Sequence, residues 1–258
     1  MLASLASDVS GHTVNDTVSI VVPAYNEARS LESVLERVQR CAAALRSLFP
    51  VELIVVDDGS NDETPQILAR LVDADCEVRV IRHETNAGLV AAIRTGVLAA
   101  RYETIVVLDA DLSYDPAIVG PLVAARRRSG AAVAIASPYM AGGHVANVPL
   151  DRLVASRVAN WLLSLCARGR IKTLTGMVRA YDAKFLKELV SRPHKGEFNA
   201  WAISKVFEER RAFVEIPASL VWPAERRNCA PRLSSWQLFT RLRLVVRTAW
   251  ILTGCARF

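Results

Sequence analysis

Short apolar runs alternate with longer amphipathic stretches through the first 140 residues. Val18–Pro23 (VSIVVP), Val51–Asp57 (VELIVVD), Glu77–His83 (EVRVIRH), Glu103–Asp109 (ETIVVLD) and Ala131–Ser137 (AAVAIAS) are rich in β-branched and apolar side chains. Their length and composition predict strands. Between them Ser30–Phe49, Thr64–Val72, Gly88–Arg101 and Pro116–Arg128 repeat apolar residues at helical spacing. Ser30 is the expected N-cap of the first helix, and Pro65 suits the first turn of the second. Strands this uniformly apolar must be covered on both faces. The expected class is therefore α/β, a mostly parallel twisted sheet with helices on both sides.

After Ser137 the alternation breaks. The chain reads Ser137-Pro138-Tyr139-Met140-Ala141-Gly142-Gly143, a Gly/Pro-rich loop. Helical patterns follow near Leu150–Arg168, Ala183–Val190 and Phe198–Arg210, with a strand at Phe213–Pro217 (FVEIP). The end, from Ser234, spaces Leu238, Leu242, Val245, Ala249 and Leu252 on one helical face, with Arg241 and Arg247 elsewhere. The expected organisation is a polar arm at 1–17, one catalytic-sized domain at 18–233 and a basic amphipathic helix at 234–258.

Composition narrows the class. With 258 residues and 52% apolar content the chain can bury a large core. No apolar run approaches the ~18 residues that cross a bilayer, and the first 17 residues lack the basic and apolar regions of a signal peptide. Five scattered cysteines and four dispersed histidines form no metal-site or redox spacing, so reduced thiols and a cytoplasmic location are expected. Charge is uneven: residues 225–258 hold seven arginines against Glu225, which accounts for the net charge of +6. Such a segment suits an anionic partner, and no nucleic-acid-binding signature accompanies it.

In a parallel sheet, ligands bind beyond the carboxyl ends of the strands. Four polar clusters fall there: Pro23-Ala24-Tyr25-Asn26-Glu27, Asp57-Asp58-Gly59-Ser60, Asn86-Ala87-Gly88 and Asp109-Ala110-Asp111. The same Asp-Ala-Asp tripeptide at Asp73–Asp75 follows a helix and precedes a strand, which puts it on the opposite edge as a polar turn. Asp109 and Asp111, two apart, turn to one side if strand geometry persists. Paired carboxylates repel unless a cation lies between them, and Mg²⁺ or Mn²⁺ bridging to substrate phosphates satisfies that need. The alternatives are a helix cap at Asp111 and, at Asp57-Asp58, an Asx turn. A carboxylate at Asp58 could accept a base N–H, with Tyr25 against the base and Glu27 on a ribose hydroxyl. Neither glycine-rich phosphate-loop pattern is present.

The ordered set IVVPAYNE, IVVDDGSNDET, NAGLVAAIRTG and VVLDADLSYDP resembles the inverting family 2 glycosyltransferases of the GT-A fold. DRLVASRVANWLL, LTGMVRAYDAKFLKEL and VEIPASLVW narrow the resemblance to the branch of dolichol-phosphate mannose synthase and bacterial polyprenyl-phosphate glycosyltransferases. It covers Val18 to Ser234. It implies that Pro23, Tyr25, Glu27, Val56 and Asp58 line a nucleotide pocket and that Asp109, Ala110 and Asp111 hold a diphosphate with Mg²⁺ or Mn²⁺. It places Arg179 against a donor or acceptor phosphate. Arg226 and Arg232 match the family's late basic pair once a short insertion after Trp222 is allowed. Pro138 stands where the synthases have an arginine, Cys229-Ala230-Pro231 replaces a Gly-x-Ser, and Thr173 takes the place of an acidic residue. The processive Gln-x-x-Arg-Trp signature is absent, which fits single-sugar transfer.

The resemblance thus implies transfer of one sugar from a UDP- or GDP-sugar to a polyprenyl or dolichyl phosphate, with the basic C-terminal helix on an anionic membrane surface at its inner face. A phosphate acceptor is already anionic and needs no strong base. Asp115 could be nominated as one, but ahead of Pro116 it reads as a helix cap. Two alternatives stay open: a soluble glycosyltransferase acting on a hydroxyl, and a nucleotide-sugar-binding protein without turnover.

Overall fold

The computed structural model describes residues 17–74, 78–111, 113–167, 169–192 and 198–222, with Val246 and Ala249. Seven strands form the main sheet: β1 (Val18–Ala24), β2 (Val51–Asp57), β3 (Val78–Arg82), β4 (Thr104–Val107), β5 (Val133–Ser137), β7 (Arg179–Asp182) and β8 (Phe213–Pro217). Their order is β3-β2-β1-β4-β7-β5-β8, and β7 alone runs antiparallel to its neighbours β4 and β5. A small parallel pair, β6 (His144–Ala146) with β9 (Ser219–Val221), stands apart. The helices are α1 (Ala28–Arg46), α2 (Thr64–Ala74), α3 (Leu89–Ala99), α4 (Val119–Ser129), α5 (Leu150–Cys166), α6 (Ala183–Val190) and α7 (Phe198–Glu208). The expected α/β sheet is present. The polar arm and the basic C-terminal helix lie outside the described residues, apart from Thr17, Val246 and Ala249.

Alternation along the strands divides the core in two. Val18, Ile20 and Val22 of β1, with Leu53 and Val55 of β2, face Leu31, Val34, Leu35 and Val38 of α1 and Leu122 of α4. Val21, Ile54, Val56, Ile105 and Val107 face the other way, onto Ile93 and Val97 of α3 and a layer from α6 and α7 that includes Phe185, Leu186 and Ile203. Burying each such side chain stabilises the fold by about 1.5–3 kcal/mol. α3 lies close to the sheet because of Gly96, where a Cβ would stand 2.4 Å from Val21 Cγ1. No helix among the described residues is long and apolar enough to cross a membrane.

Two local expectations about helix caps can be checked, and the first is corrected. Glu27, not Ser30, occupies the N-cap position of α1, and Ser30 lies in the first turn with its hydroxyl donating to Glu27 Oε2 at 2.9 Å. The helix starts earlier because neighbouring chain caps it: Thr64 Oγ1 accepts from Glu27 N and Asp62 Oδ2 from Ala28 N. At Asp115 the expected cap is found, its Oδ1 accepting from Ala117 N at 2.9 Å ahead of the short 3₁₀ turn Pro116–Ile118.

The amino-terminal edge of the sheet is held by a buried carboxylate. Glu52 on β2 accepts from Ser19 Oγ (2.6 Å), Arg101 N (2.6 Å), Arg101 Nε (3.1 Å) and Arg79 Nη1 (3.3 Å). Burial pushes its pKa up, but the hydrogen bonds from Ser19, Arg101 and Arg79 outweigh it, and the net position is below the ordinary 4.5. A depressed pKa means stabilisation that is full above the unfolded value and lost as pH falls through the folded one. Glu52→Gln should therefore lower stability by about 1.5–3 kcal/mol at pH 7, with the gap to wild type closing below about pH 4.5. Urea denaturation at pH 7 and about pH 3.5 checks this; a gap of equal size at both would contradict it.

Candidate active site

β1 is the pivot of the sheet. The chain passes from β1 to β2 and β3 on one side, then crosses to β4 on the other, which makes the β1/β4 boundary the topological switch point. β1 stays paired with β2 as far as Ala24↔Asp57, and Asp58 N donates on to Ala24 O. Its pairing with β4 ends at Val21↔Val107, with one further bond from Leu108 N to Val21 O. Beyond that point the two strands part. Pro23 sits at the parting. Alternation puts its nitrogen on the β4 side, as for Val21, so the missing N–H faces the crevice and breaks no ladder bond.

The two walls of the crevice carry the predicted clusters. On one side Tyr25 is 41% exposed and Glu27 half-buried; on the other Asp109 and Asp111 are half-buried and Ala110 buried between them. Asp111 Oδ1 accepts from Ser113 N at 2.9 Å, which fixes that carboxylate in a local turn. The β1–α1 loop is stapled to the β2–α2 loop: Asn26 N donates to Ser60 Oγ and Asn61 N to Asn26 Oδ1, each at 2.9 Å. Asn26 takes φ = 53°, a left-handed conformation that asparagine tolerates better than most residues. The twin tripeptide is elsewhere, with Asp73 and Ala74 at the C-terminal end of α2 and Asp75 outside the described residues.

Other predicted residues are placed differently. Pro23 and Val56, which face each other in register, are both buried, and the Val56 side chain packs on α3. Asp57 realises the Asx turn, accepting from Ser60 N at 2.9 Å, and pairs with Arg82 at 3.2 Å. Asp58 reaches the ligand edge, but its carboxylate binds protein: Oδ1 meets His83 Nδ1 (2.7 Å) and Ala87 N (3.0 Å), and Oδ2 meets Gly88 N (2.8 Å). Burial raises its pKa, yet the Ala87 amide, His83 and the Gly88 amide outweigh that and hold it below the usual carboxylate value. His83 Nε2 in turn contacts Thr95 Oγ1 at 2.8 Å. Gly59 lets the two loops meet, since a Cβ there would stand 2.5 Å from the Thr85 carbonyl carbon.

Arg179 is the largest correction. It is completely buried, and its guanidinium donates to the carbonyls of Leu174 (2.6 Å), Gly176 (3.0 Å) and Asn199 (3.2 Å). It braces the chain ahead of β7 and does not present itself to a phosphate. Asn160 and Glu215 brace the same segment: Asn160 Oδ1 accepts from Leu174 N at 2.8 Å, while Glu215 accepts from Lys172 N (2.7 Å) and Thr173 N (2.9 Å). Sequence reading passed over both, although a lone polar residue inside an apolar stretch (VANWLL, FVEIP) is the available signal. Pro138 is followed by Tyr139, whose hydroxyl donates to Ser156 Oγ at 2.8 Å on α5. Arg226 and Arg232 lie outside the described residues.

The donor set suits a hard divalent cation that is completed by substrate. Asp109 and Asp111 supply carboxylate oxygens, and no cluster of three or more His, Cys, Asp or Glu suited to a metal occurs among the described residues. Two carboxylates completed by phosphate oxygens would be an arrangement that Mg²⁺ and Mn²⁺ accept. A cleft of about 260 Å³ opens between the start of α3 (Gly88 to Ile93) and Met177, Phe198 and Asn199, with mostly apolar walls.

The sequence model described as glycosyl transferase family 2 matches residues 19–190, more than half of the chain. The chain belongs to glycosyl transferase family 2. Among curated relatives it is 35% identical over 142 residues to a dolichol-phosphate mannosyltransferase of Pyrococcus furiosus, covering 55% of this chain and 39% of that protein. It is 34% identical over 174 residues to a polyprenol monophosphomannose synthase of Mycolicibacterium smegmatis, covering 66% and 63%. The matches thus span less than two thirds of these relatives' own length. The glucosyl-3-phosphoglycerate synthase of Mycobacterium tuberculosis, solved with Mn²⁺, UDP and phosphoglyceric acid, superposes with a TM-score of 0.64 at 20% identity over 98% of this chain and 83% of that one. That likeness establishes the GT-A fold.

The Asp58 network makes a specific demand on loop dynamics. In Asp58→Asn the amides of Ala87 and Gly88 should exchange with solvent about 10- to 100-fold faster, as loss of hydrogen bonds to a charged acceptor implies. The amide of Ser60, held by Asp57, should be unchanged. Hydrogen exchange followed by NMR checks this, and unaltered protection at 87 and 88 would refute the assignment.

Proposed function

We propose that this family 2 protein transfers a single sugar from a UDP- or GDP-linked donor to a polyprenyl or dolichyl phosphate, inverting the anomeric carbon. The observation that carries the reading is the Asp109–Asp111 pair at the parting of β1 and β4, across from the exposed Tyr25 ring and Glu27. Curated relatives named for transfer to polyprenyl-type phosphates support the acceptor class.

In this reading Tyr25 stacks on the base and Glu27 accepts from a ribose hydroxyl. Asp58 shapes the pocket by fixing Ala87 and Gly88, and one of its lone pairs is left for a base N–H. Mg²⁺ or Mn²⁺ held by Asp109 and Asp111 supplies positive charge against the leaving nucleoside diphosphate. The apolar cleft beside α3 offers a wall for prenyl units. Among the described carboxylates near the site, Asp115 is engaged as a cap and with Arg37 at 3.0 Å, and Glu215 with two backbone amides. A phosphate acceptor is already anionic and needs no general base. The arginine-rich segment 225–258 suits an anionic membrane surface at the cytoplasmic face, where such acceptors are presented.

The direct test is a nucleotide-sugar panel with Mn²⁺ and a polyprenyl phosphate, scored for glycolipid. Product is expected with one donor class, and Asp111→Asn should lower kcat about 100-fold or more, the scale of losing a principal charge-stabilising group. Comparable turnover by Asp111→Asn would overturn the metal assignment. For the membrane contact, the full chain should co-sediment with anionic vesicles better than a truncation after Ser234; equal retention sinks that part.

A further inference from the structure

One buried polar group near the aspartate pair has no role in the scheme above. Tyr114 is 7% exposed, and its hydroxyl has no hydrogen-bond partner among the described residues. Burying a hydroxyl without a partner is costly, and native structures retain such groups rarely. The ring is well anchored. Its backbone forms an antiparallel bridge with Leu220, Val221 N donates to Ser113 O at 2.8 Å, and the next residue caps the 3₁₀ turn.

The surroundings show what the hydroxyl is near. The groups acting on it are Asp109, Tyr139, Arg179 and Asp111, and burial followed by the Asp109 charge pushes its pKa well above the ordinary value. A phenol O–H so placed is a hydrogen-bond donor. The hydroxyl lies beside Gly176, where a Cβ would stand in ordinary contact 3.5 Å from Tyr114 Oη. The Thr173–Gly176 loop is in turn fixed by Glu215, Asn160 and Arg179. A rigid loop, an anchored ring and a dehydrated donor form a preorganised contact of the kind that favours developing or resident negative charge.

We propose that Tyr114 is a substrate-binding residue whose hydroxyl donates to a phosphate oxygen of a ligand held at Asp109 and Asp111. This rests on the glycosyl-transfer reading for the identity of that phosphate, which belongs either to the nucleoside diphosphate or to the lipid acceptor. Because the free protein already bears the cost of dehydrating the hydroxyl, Tyr114→Phe should leave its thermal midpoint equal or raise it. The same substitution should weaken one ligand by about 10- to 100-fold, the range for a hydrogen bond to a charged group.

Two arms distinguish the sources. Calorimetric titration of UDP and of GDP, each with Mn²⁺, reads the donor side; KM for undecaprenyl phosphate reads the acceptor side. Weakening in the first arm assigns the diphosphate, and weakening in the second assigns the acceptor phosphate. Values within about twofold of wild type in both arms, well short of a hydrogen bond to a charged group, overturn the proposal. Weakening accompanied by a lower midpoint also overturns it, because that marks a structural role. If wild type makes no glycolipid, the lipid-phosphate reading fails and the nucleotide arm alone decides Tyr114.

Discussion

β1 and β4 share a ladder only as far as Val107, and the site exists because they part there. A parallel sheet that reverses its direction of winding at β1 cannot cover that boundary with a crossover helix, so the carboxyl ends of β1 and β4 border an open crevice. Pro23 reinforces the opening, since a residue without an N–H cannot extend the ladder on the side that faces β4. Tyr25, Glu27, Asp109, Asp111 and Tyr114 all lie on the two chain segments that leave this point.

What keeps the crevice in shape is a layer of polar contacts, most of them buried or half-buried. Asp58 fixes the loop ahead of α3 through His83, Ala87 and Gly88. Asn26 and Ser60 tie the first two loops together. Arg179, Asn160 and Glu215 hold the loop ahead of β7, against which the Tyr114 hydroxyl lies. These side chains set the geometry in which Tyr25, Glu27, Asp109 and Asp111 would meet the proposed ligand. Hydrogen bonds among dehydrated groups are strong and rigid, which suits the proposed role of holding a diphosphate without reorganising.

The sheet was legible in the sequence because its parallel strands are buried on both faces and read as unbroken apolar runs. β7 was not, because Arg179 interrupts its short run and its antiparallel direction leaves no local mark. The ligand edge was legible for the same topological reason that made the Asp73–Asp75 copy a poor candidate: order along the chain tells which end of a strand a cluster occupies. Side-chain direction was harder. Val56 and Arg179 were assigned to ligand by resemblance, yet Val56 faces the core and Arg179 turns inward to three carbonyls. A charged residue looks functional in a sequence; whether backbone oxygens close around it is decided by tertiary packing.

The central claim is that the crevice between β1 and β4 holds a nucleoside diphosphate with its cation on Asp109 and Asp111. Anomalous diffraction from crystals grown with Mn²⁺ and the preferred nucleoside diphosphate tests it most directly. The account predicts a manganese peak bound by this aspartate pair, with the base lying against Tyr25. A nucleotide bound away from the pair, or manganese seated elsewhere on the chain, would contradict it.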